Sequence, residues 1–299
     1  MSNDDDSRIG GRTRRSVLKG LGTAVAFGAA TGVASASDGR ASLLDDPQTV
    51  LDDYADEYSV ELGNGRLTTF SSVDFTGLPK FVGVHLSDGA LSGLPSAEEL
   101  QESGEGTVIH GAMSKEFAVP FPDTAPAPFE FLGFNWNPNG HPPSGVHDVP
   151  HFDVHFHFED VETVYGIEQS VADYEIPAER MPQGFARVPS PKTGEYVTVK
   201  HMGEHLIDPT TPELNGGEFT NTLLWGAYDL NGDGAGELNF VEPMLTREYL
   251  SNLSGEDARP VAQPTVYPYD GWYPNTYTVY DLGTEGLAVV LEDLEEQQV

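Results

Sequence analysis

The chain of 299 residues contains no cysteine. That excludes disulfides, thiolate metal sites and a lipid-modified N-terminal cysteine. Basic side chains are scarce: 15 Lys and Arg stand against 48 Asp and Glu, a formal net charge of −33. Five of the 15, Arg8, Arg12, Arg14, Arg15 and Lys19, lie in the first 37 residues. The rest of the chain has 45 acidic and 10 basic residues, and only four of those ten are lysine. Such a surface repels itself at low salt and is screened in strong brine, so the composition predicts a salt-adapted protein. It also makes nucleic acid and anionic membranes poor partners. Long apolar runs are missing too. The most apolar stretch, Gly20 to Val33, is short and poor in large side chains, so no integral membrane segment is expected in the mature chain. No Gly-x-Ser-x-Gly nucleophile elbow occurs.

What is present begins with an address. Thr13-Arg14-Arg15-Ser16-Val17-Leu18-Lys19 matches a twin-arginine signal, and Ala34-Ser35-Ala36 offers small residues for cleavage. Residues 1–36 therefore read as a twin-arginine signal segment. The expectation is export by the twin-arginine translocase across the cytoplasmic membrane, to the medium or the cell surface.

Residues 37–291 read as a single, mainly β domain, a sandwich or barrel with a few short helices, and 292–299 as a loose acidic tail. Helices are expected around Val50, Leu51, Tyr54 and Tyr58, from Ser96, and over Met244 to Leu250. Eleven short strands separated by Gly, Pro, Asn and Asp are expected. They are Gly65–Ser71, Lys80–Leu86, Thr107–Ile109, Ala112–Val119, Glu130–Asn135, His151–Phe158, Tyr196–Lys200, Thr220–Tyr228, Glu237–Glu242, Thr276–Asp281 and Leu287–Leu291.

One of these carries chemistry. In His151-Phe152-Asp153-Val154-His155-Phe156-His157-Phe158, strand alternation puts three imidazoles and a carboxylate on one face and apolar groups on the other. Neutral imidazoles with a carboxylate suit a transition metal such as Zn, Cu, Ni, Fe or Mn. One strand supplies neighbouring ligands, so partners must come from elsewhere: His141, His205 and Glu242 are the candidates. The alternative is that these histidines are polar groups on a wet sheet face.

Several stretches resemble the TTHB-like family of exported domains of unknown function. They are Trp136-Asn137-Pro138-Asn139-Gly140-His141-Pro142-Pro143, Pro150-His151-Phe152-Asp153-Val154-His155-Phe156, Met202-Gly203-Glu204-His205-Leu206-Ile207-Asp208 with Pro212-Glu213, and Phe240-Val241-Glu242-Pro243-Met244-Leu245-Thr246. The likeness covers roughly residues 68–252 in order. It implies one mainly β domain outside the membrane and brings no reaction with it. At His157 the family pattern has Tyr, which makes His157 a weaker ligand candidate than His151 or His155.

Other motifs carry less. His155-Phe156-His157 with Glu162 is similar to a cupin or carbonic-anhydrase strand, but the surrounding sequence matches neither. Asp229-Leu230-Asn231-Gly232-Asp233-Gly234 starts like a calcium loop, yet Phe240 stands where the twelfth-position Glu belongs, so calcium is not expected and a hairpin turn is. Tyr267, Tyr269, Trp272, Tyr273, Tyr277 and Tyr280 could stack on sugars or fill a core. Three functions stay open: a metal-binding protein without catalysis; a metalloenzyme in which His151 and His155 hold the ion, His205 completes its shell, and Glu242 or Asp153 acts as base; and a structural or envelope-associated domain, alone or as a homo-oligomer, whose histidines only hydrogen-bond.

Overall fold

The computed structural model describes residues 56–299. The expected signal segment and most of the first expected helix lie outside them; of that helix, Asp56–Tyr58 form a 3-10 turn. Strand-forming segments dominate, punctuated by Gly and Pro turns. In chain order they are β1 (Ser59–Leu62), β2 (Gly65–Val73), β3 (Pro79–Leu86), β4 (Thr107–Ile109), β5 (Ala112–Pro120) and β6 (Phe131–Asn137). Next come β7 (His151–His157), β8 (Ser170–Val171), β9 (Ala186–Arg187), β10 (Val197–Thr198) and β11 (Glu204–Ile207). The last are β12 (Asn221–Tyr228), β13 (Glu237–Thr246), β14 (Glu256–Pro260), β15 (Gly271–Asp281) and β16 (Leu287–Gln297). Three short helices accompany them: α1 (Ala97–Ser103), α2 (Val161–Tyr165) and α3 (Arg247–Asn252).

The fold is mainly β, as expected. One sheet has the order β1-β2-β3-β16-β15-β14, and a larger one β4-β5-β6-β7-β13-β12-β11-β9; β8 and β10 make a small third sheet. The two large sheets share one core. Val82, Val84, Val279, Val289 and Leu291 come from the first, and Leu132, Phe134, Phe152, Val154, Phe156, Trp225 and Val241 from the second. Burying each of these side chains is worth about 1.5–3 kcal/mol, which fixes the register of β7: a slip of one residue would turn its histidines into the core. The aromatic C-terminal run is divided between this interior and a second cluster, in which Tyr280 packs with Phe70, Phe81, Ala288 and Val290. Tyr273, Tyr277 and Tyr280 are fully buried, and Tyr267 lies against Tyr273, so these rings pack and offer no open stacking platform.

Three expectations need correction. The third helix does not start at Met244: β13 continues to Thr246, and α3 begins at Arg247 with the Thr246 side chain accepting from the Tyr249 amide. Pro243 suggested a strand end, because proline cannot donate to a ladder. Here it sits opposite Leu223 of β12, and pairing with β7 resumes at Met244, opposite Asp153. The expected loose tail is largely strand. β16 runs to Gln297 against β15, and Glu292 is buried, accepting from the hydroxyls of Thr278 and Tyr280. Finally, β8, β11 and the edge strands β1, β9 and β14 were not expected. They are too short or too charged to show the alternation that marks a strand.

By contrast, Ser96 caps α1 with a complete capping box to Glu99, as its sequence predicts. The Asp229–Gly234 stretch is the β12–β13 turn, where the Asp229 carboxylate accepts the amides of Asp233 and Gly234. No helix among the described residues is long and apolar enough to cross a membrane.

Candidate metal centre

The face of β7 opposite the core is not a wet surface. His151, Asp153, His155 and His157 are all nearly or fully buried. Strand pairing sets their neighbours. On one side β6 places Asn137, Asn135, Gly133 and Phe131 opposite His151, Asp153, His155 and His157. On the other, β13 brings Glu242 and Phe240, and β12 and β11 carry the face outward to His205, which sits opposite Gly226. Residues of the 138–149 loop and of segment 188–214 border the same region. The result gathers seven of the nine histidines of the chain: His110, His141, His147, His151, His155, His157 and His205.

These side chains fall into two groups that could each hold a metal ion. His155, His205 and Glu242 form one, and His141, His151 and Asp153 the other; within each, one donor atom per residue lies within 4.8 Å of the others. Sequence reasoning named all six residues but set His151 and His155 on one ion. Successive same-face residues of a strand lie roughly 7 Å apart, so two steps along β7 put these rings in different groups. His157 belongs to neither group. Its ring stacks on Phe131 at 4.6 Å and lies over Gly133.

In the first group, His155 Nε2 is 3.4 Å from Glu242 Oε1, and His205 Nε2 is 3.4 Å from Glu242 Oε2. His155 Nδ1 faces the Gly133 carbonyl at 3.3 Å. In the second, His151 Nε2 is 3.1 Å from Asp153 Oδ1, and His141 Nε2 is 3.7 Å from Asp153 Oδ2. The Asn137 amide donates to Asp153 Oδ2 at 2.8 Å. His151 Nδ1 faces the Val149 carbonyl at 2.7 Å, and His141 Nδ1 faces that of Pro142 at 2.8 Å. Proximity is not hydrogen bonding here. His151 Nε2, Asp153 Oδ1, His155 Nε2, His205 Nε2 and Glu242 Oε2 are buried with no hydrogen-bond partner in the protein.

Burial and mutual charge set the protonation of these groups. Burial pushes Glu242 up to about 8, against the pull of His155. It pushes His205 down to about 4 and His147 down to about 3. Burial also holds His110 and His157 well below the usual imidazole range, helped by neighbouring histidines. For Asp153 burial works upward, but His151 and His141 outweigh it and hold the carboxyl well below its ordinary value. His141 rises for the matching reason, because Asp153 overcomes its burial.

A cavity of about 310 Å³ opens against this layer, lined among others by His110, His141, His205 and Glu242. Sequence reasoning missed two histidines of this layer, His147 in the loop after β6 and His110. His110 stands in the two-residue β4–β5 turn with Gly111, both at positive φ. A His-Gly pair where Asn-Gly is the common hairpin turn was the available signal.

Four stretches of the sequence meet here: 136–143 brings Asn137 and His141, 150–156 brings His151, Asp153 and His155, 202–208 brings His205, and 240–246 brings Glu242. Comparison of the chain with known protein families, with curated proteins and with solved structures finds no match.

Proposed function

We propose that this is an exported, salt-adapted metal-binding protein whose ion is held by His155, His205 and Glu242. The observation that carries it is a convergence of buried atoms: the Nε2 of both imidazoles and Oε2 of Glu242 lie together without a hydrogen-bond partner in the protein. Each such atom left unsatisfied costs about 1–3 kcal/mol, so three at one point ask for a cation. The Gly133 carbonyl behind His155 Nδ1 is the outer contact that orients a ligating imidazole. Two nitrogens and a carboxylate select a borderline transition ion such as Zn, Cu, Ni, Fe or Mn over calcium, which prefers oxygen throughout. The twin-arginine segment supports export, and the likeness to the TTHB-like family, carried by the residues that build this site, joins the same reading.

The cavity favours a second reading, a metal-dependent hydrolytic enzyme. Three protein ligands leave a coordination position open, and the cavity reaches His205 and Glu242, so a bound water could meet a small substrate there.

Elemental analysis of protein exported and purified in high salt without chelator tests the proposal. The expected result is a transition metal, lost from the first site in the His155→Ala/His205→Ala double mutant. Metal-free protein that takes up none on titration would overturn it and favour a structural domain whose histidines only hydrogen-bond. Replacing Arg14 and Arg15 by Lys should retain the chain inside the cell; unchanged export would overturn that part.

A further inference from the structure

We infer that the buried layer is a two-ion centre: a second transition-metal ion is held by His141, His151 and Asp153, and His110 stands between the two ions as a shared positioning residue. This rests on the metal-binding reading above and extends it.

The second group repeats the chemistry of the first, two imidazoles and one carboxylate, and shares β7 with it. β7 supplies His151 and Asp153, and the loop after β6 supplies His141. All three side chains are more than nine-tenths buried. Each is turned by an outer contact. The Val149 and Pro142 carbonyls engage Nδ1 of His151 and His141, leaving both Nε2 atoms to face Asp153, and the Asn137 amide fixes Asp153 Oδ2. That is the arrangement that orients ligands around an ion. An ion pair alone does not account for it. His151 Nε2 lies 3.1 Å from Asp153 Oδ1, yet neither atom has a hydrogen-bond partner in the protein. The pair is close but off hydrogen-bond geometry, and about 3 Å is the spacing of neighbouring donors on one transition ion, so both atoms can turn to an ion beside them.

His110 ties the two groups together. Its backbone sits at φ 51°, a region that most side chains avoid, in the turn of β4 and β5. From there its ring stacks on His141 of one group at 4.3 Å and lies 5.0 Å from His205 of the other. The cavity touches His110, His141, His205 and Glu242, so one small oxygen-bearing ligand entering it would meet a residue of each group.

The test is metal stoichiometry of the full mature chain in high salt, stripped by chelator and titrated with Co²⁺. Visible absorption reads the coordination, and elemental analysis after Zn²⁺ loading reads the count. The expected result is two equivalents for the wild type and one each for His141→Gln and His205→Gln. His110→Asn, which keeps a residue suited to positive φ, should keep two equivalents but weaken each by about 10–100-fold, the scale of lost outer contacts. One equivalent in the wild type, lost in His205→Gln and untouched in His141→Gln, would overturn the second ion and leave the first site standing. A single equivalent lost in both variants would also overturn it, since all six residues would then share one ion. No uptake by the wild type would remove the metal-binding reading itself. Unchanged affinities in His110→Asn would remove His110 from the centre. The wild-type count decides between one and two ions even if a variant fails to fold.

Discussion

Phe240 lies across the candidate centre because residue 226 has no side chain. A Cβ on Gly226 would stand 2.0 Å from the Phe240 ring. That ring is fully buried, with the imidazoles of His155, His157 and His205 at 5.0, 5.3 and 5.4 Å, so it cannot move without moving them. Gly226→Ala should therefore cost about 1–3 kcal/mol, the usual scale of overpacking a filled interior. It should also weaken metal uptake by the His155, His205 and Glu242 group more than by the other, since His205 pairs directly opposite Gly226. Denaturant unfolding together with Co²⁺ titration checks both. Full stability with unchanged uptake would mean that the ring has room to give.

Among the elements, β9 and β11 show how an edge of the sheet is held in so acidic a chain. Arg187 of β9 donates from Nε and Nη2 to the two carboxylate oxygens of Glu204 on β11, at 2.8 and 2.7 Å, and from Nη1 to the Tyr174 carbonyl. Its guanidinium lies 3.9 Å from the Tyr196 ring centroid. Glu204 is buried, so Arg187→Ala leaves an uncompensated charge and should cost roughly 3–5 kcal/mol. Arg187→Lys keeps the charge but loses the planar fork and the stacking, so it should recover only part of that stability. Thermal melts in high salt separate the two; equal stability of Lys and Arg would show that charge alone matters. β11 itself was hidden in the sequence because a four-residue strand with Glu and His on it shows little hydrophobic alternation. β7 was legible because Phe and Val alternate with His and Asp over its whole length. The six ligand candidates were legible as residue types. Their division into two groups was not, because it depends on which strands flank β7 and on a loop folding back over it. Pro243 and the charges after Glu292 masked the true ends of β13 and β16 for the converse reason: tertiary pairing overrode a local breaker in one case and a run of acidic residues in the other.

Across the whole molecule two charge effects oppose folding, and conditions separate them. The first is the excess of acidic residues. It is screened over about 10 Å at 0.1 M salt and about 3 Å at 1 M, so Tm should climb between those concentrations with NaCl and KCl alike. A flat response would remove self-repulsion as a factor. The second is the buried histidines. Burial holds His205 at about 4, His147 at about 3, His110 and His157 well below their ordinary range, and His85, whose Nε2 meets the Glu285 carbonyl, below it as well. An unfolded imidazole takes up a proton at a pKa of about 6.5, while these folded ones do not. Below that pH the unfolded state binds more protons than the folded state, so stability present above pH 6.5 drains away as the pH falls toward 4. Two groups work the other way. His141 is raised by Asp153, and Glu242, pushed up to about 8, keeps its proton where an unfolded carboxyl would have lost it. Five depressed imidazoles against two raised groups leave acid as the destabilising direction. Chelator-stripped protein melted at constant high salt should lose Tm steadily from pH 6.5 to 4.5, and His85→Gln, far from the metal residues, should make the loss slightly shallower. A Tm that holds down to pH 5 would mean that these imidazoles already carry protons in the folded protein.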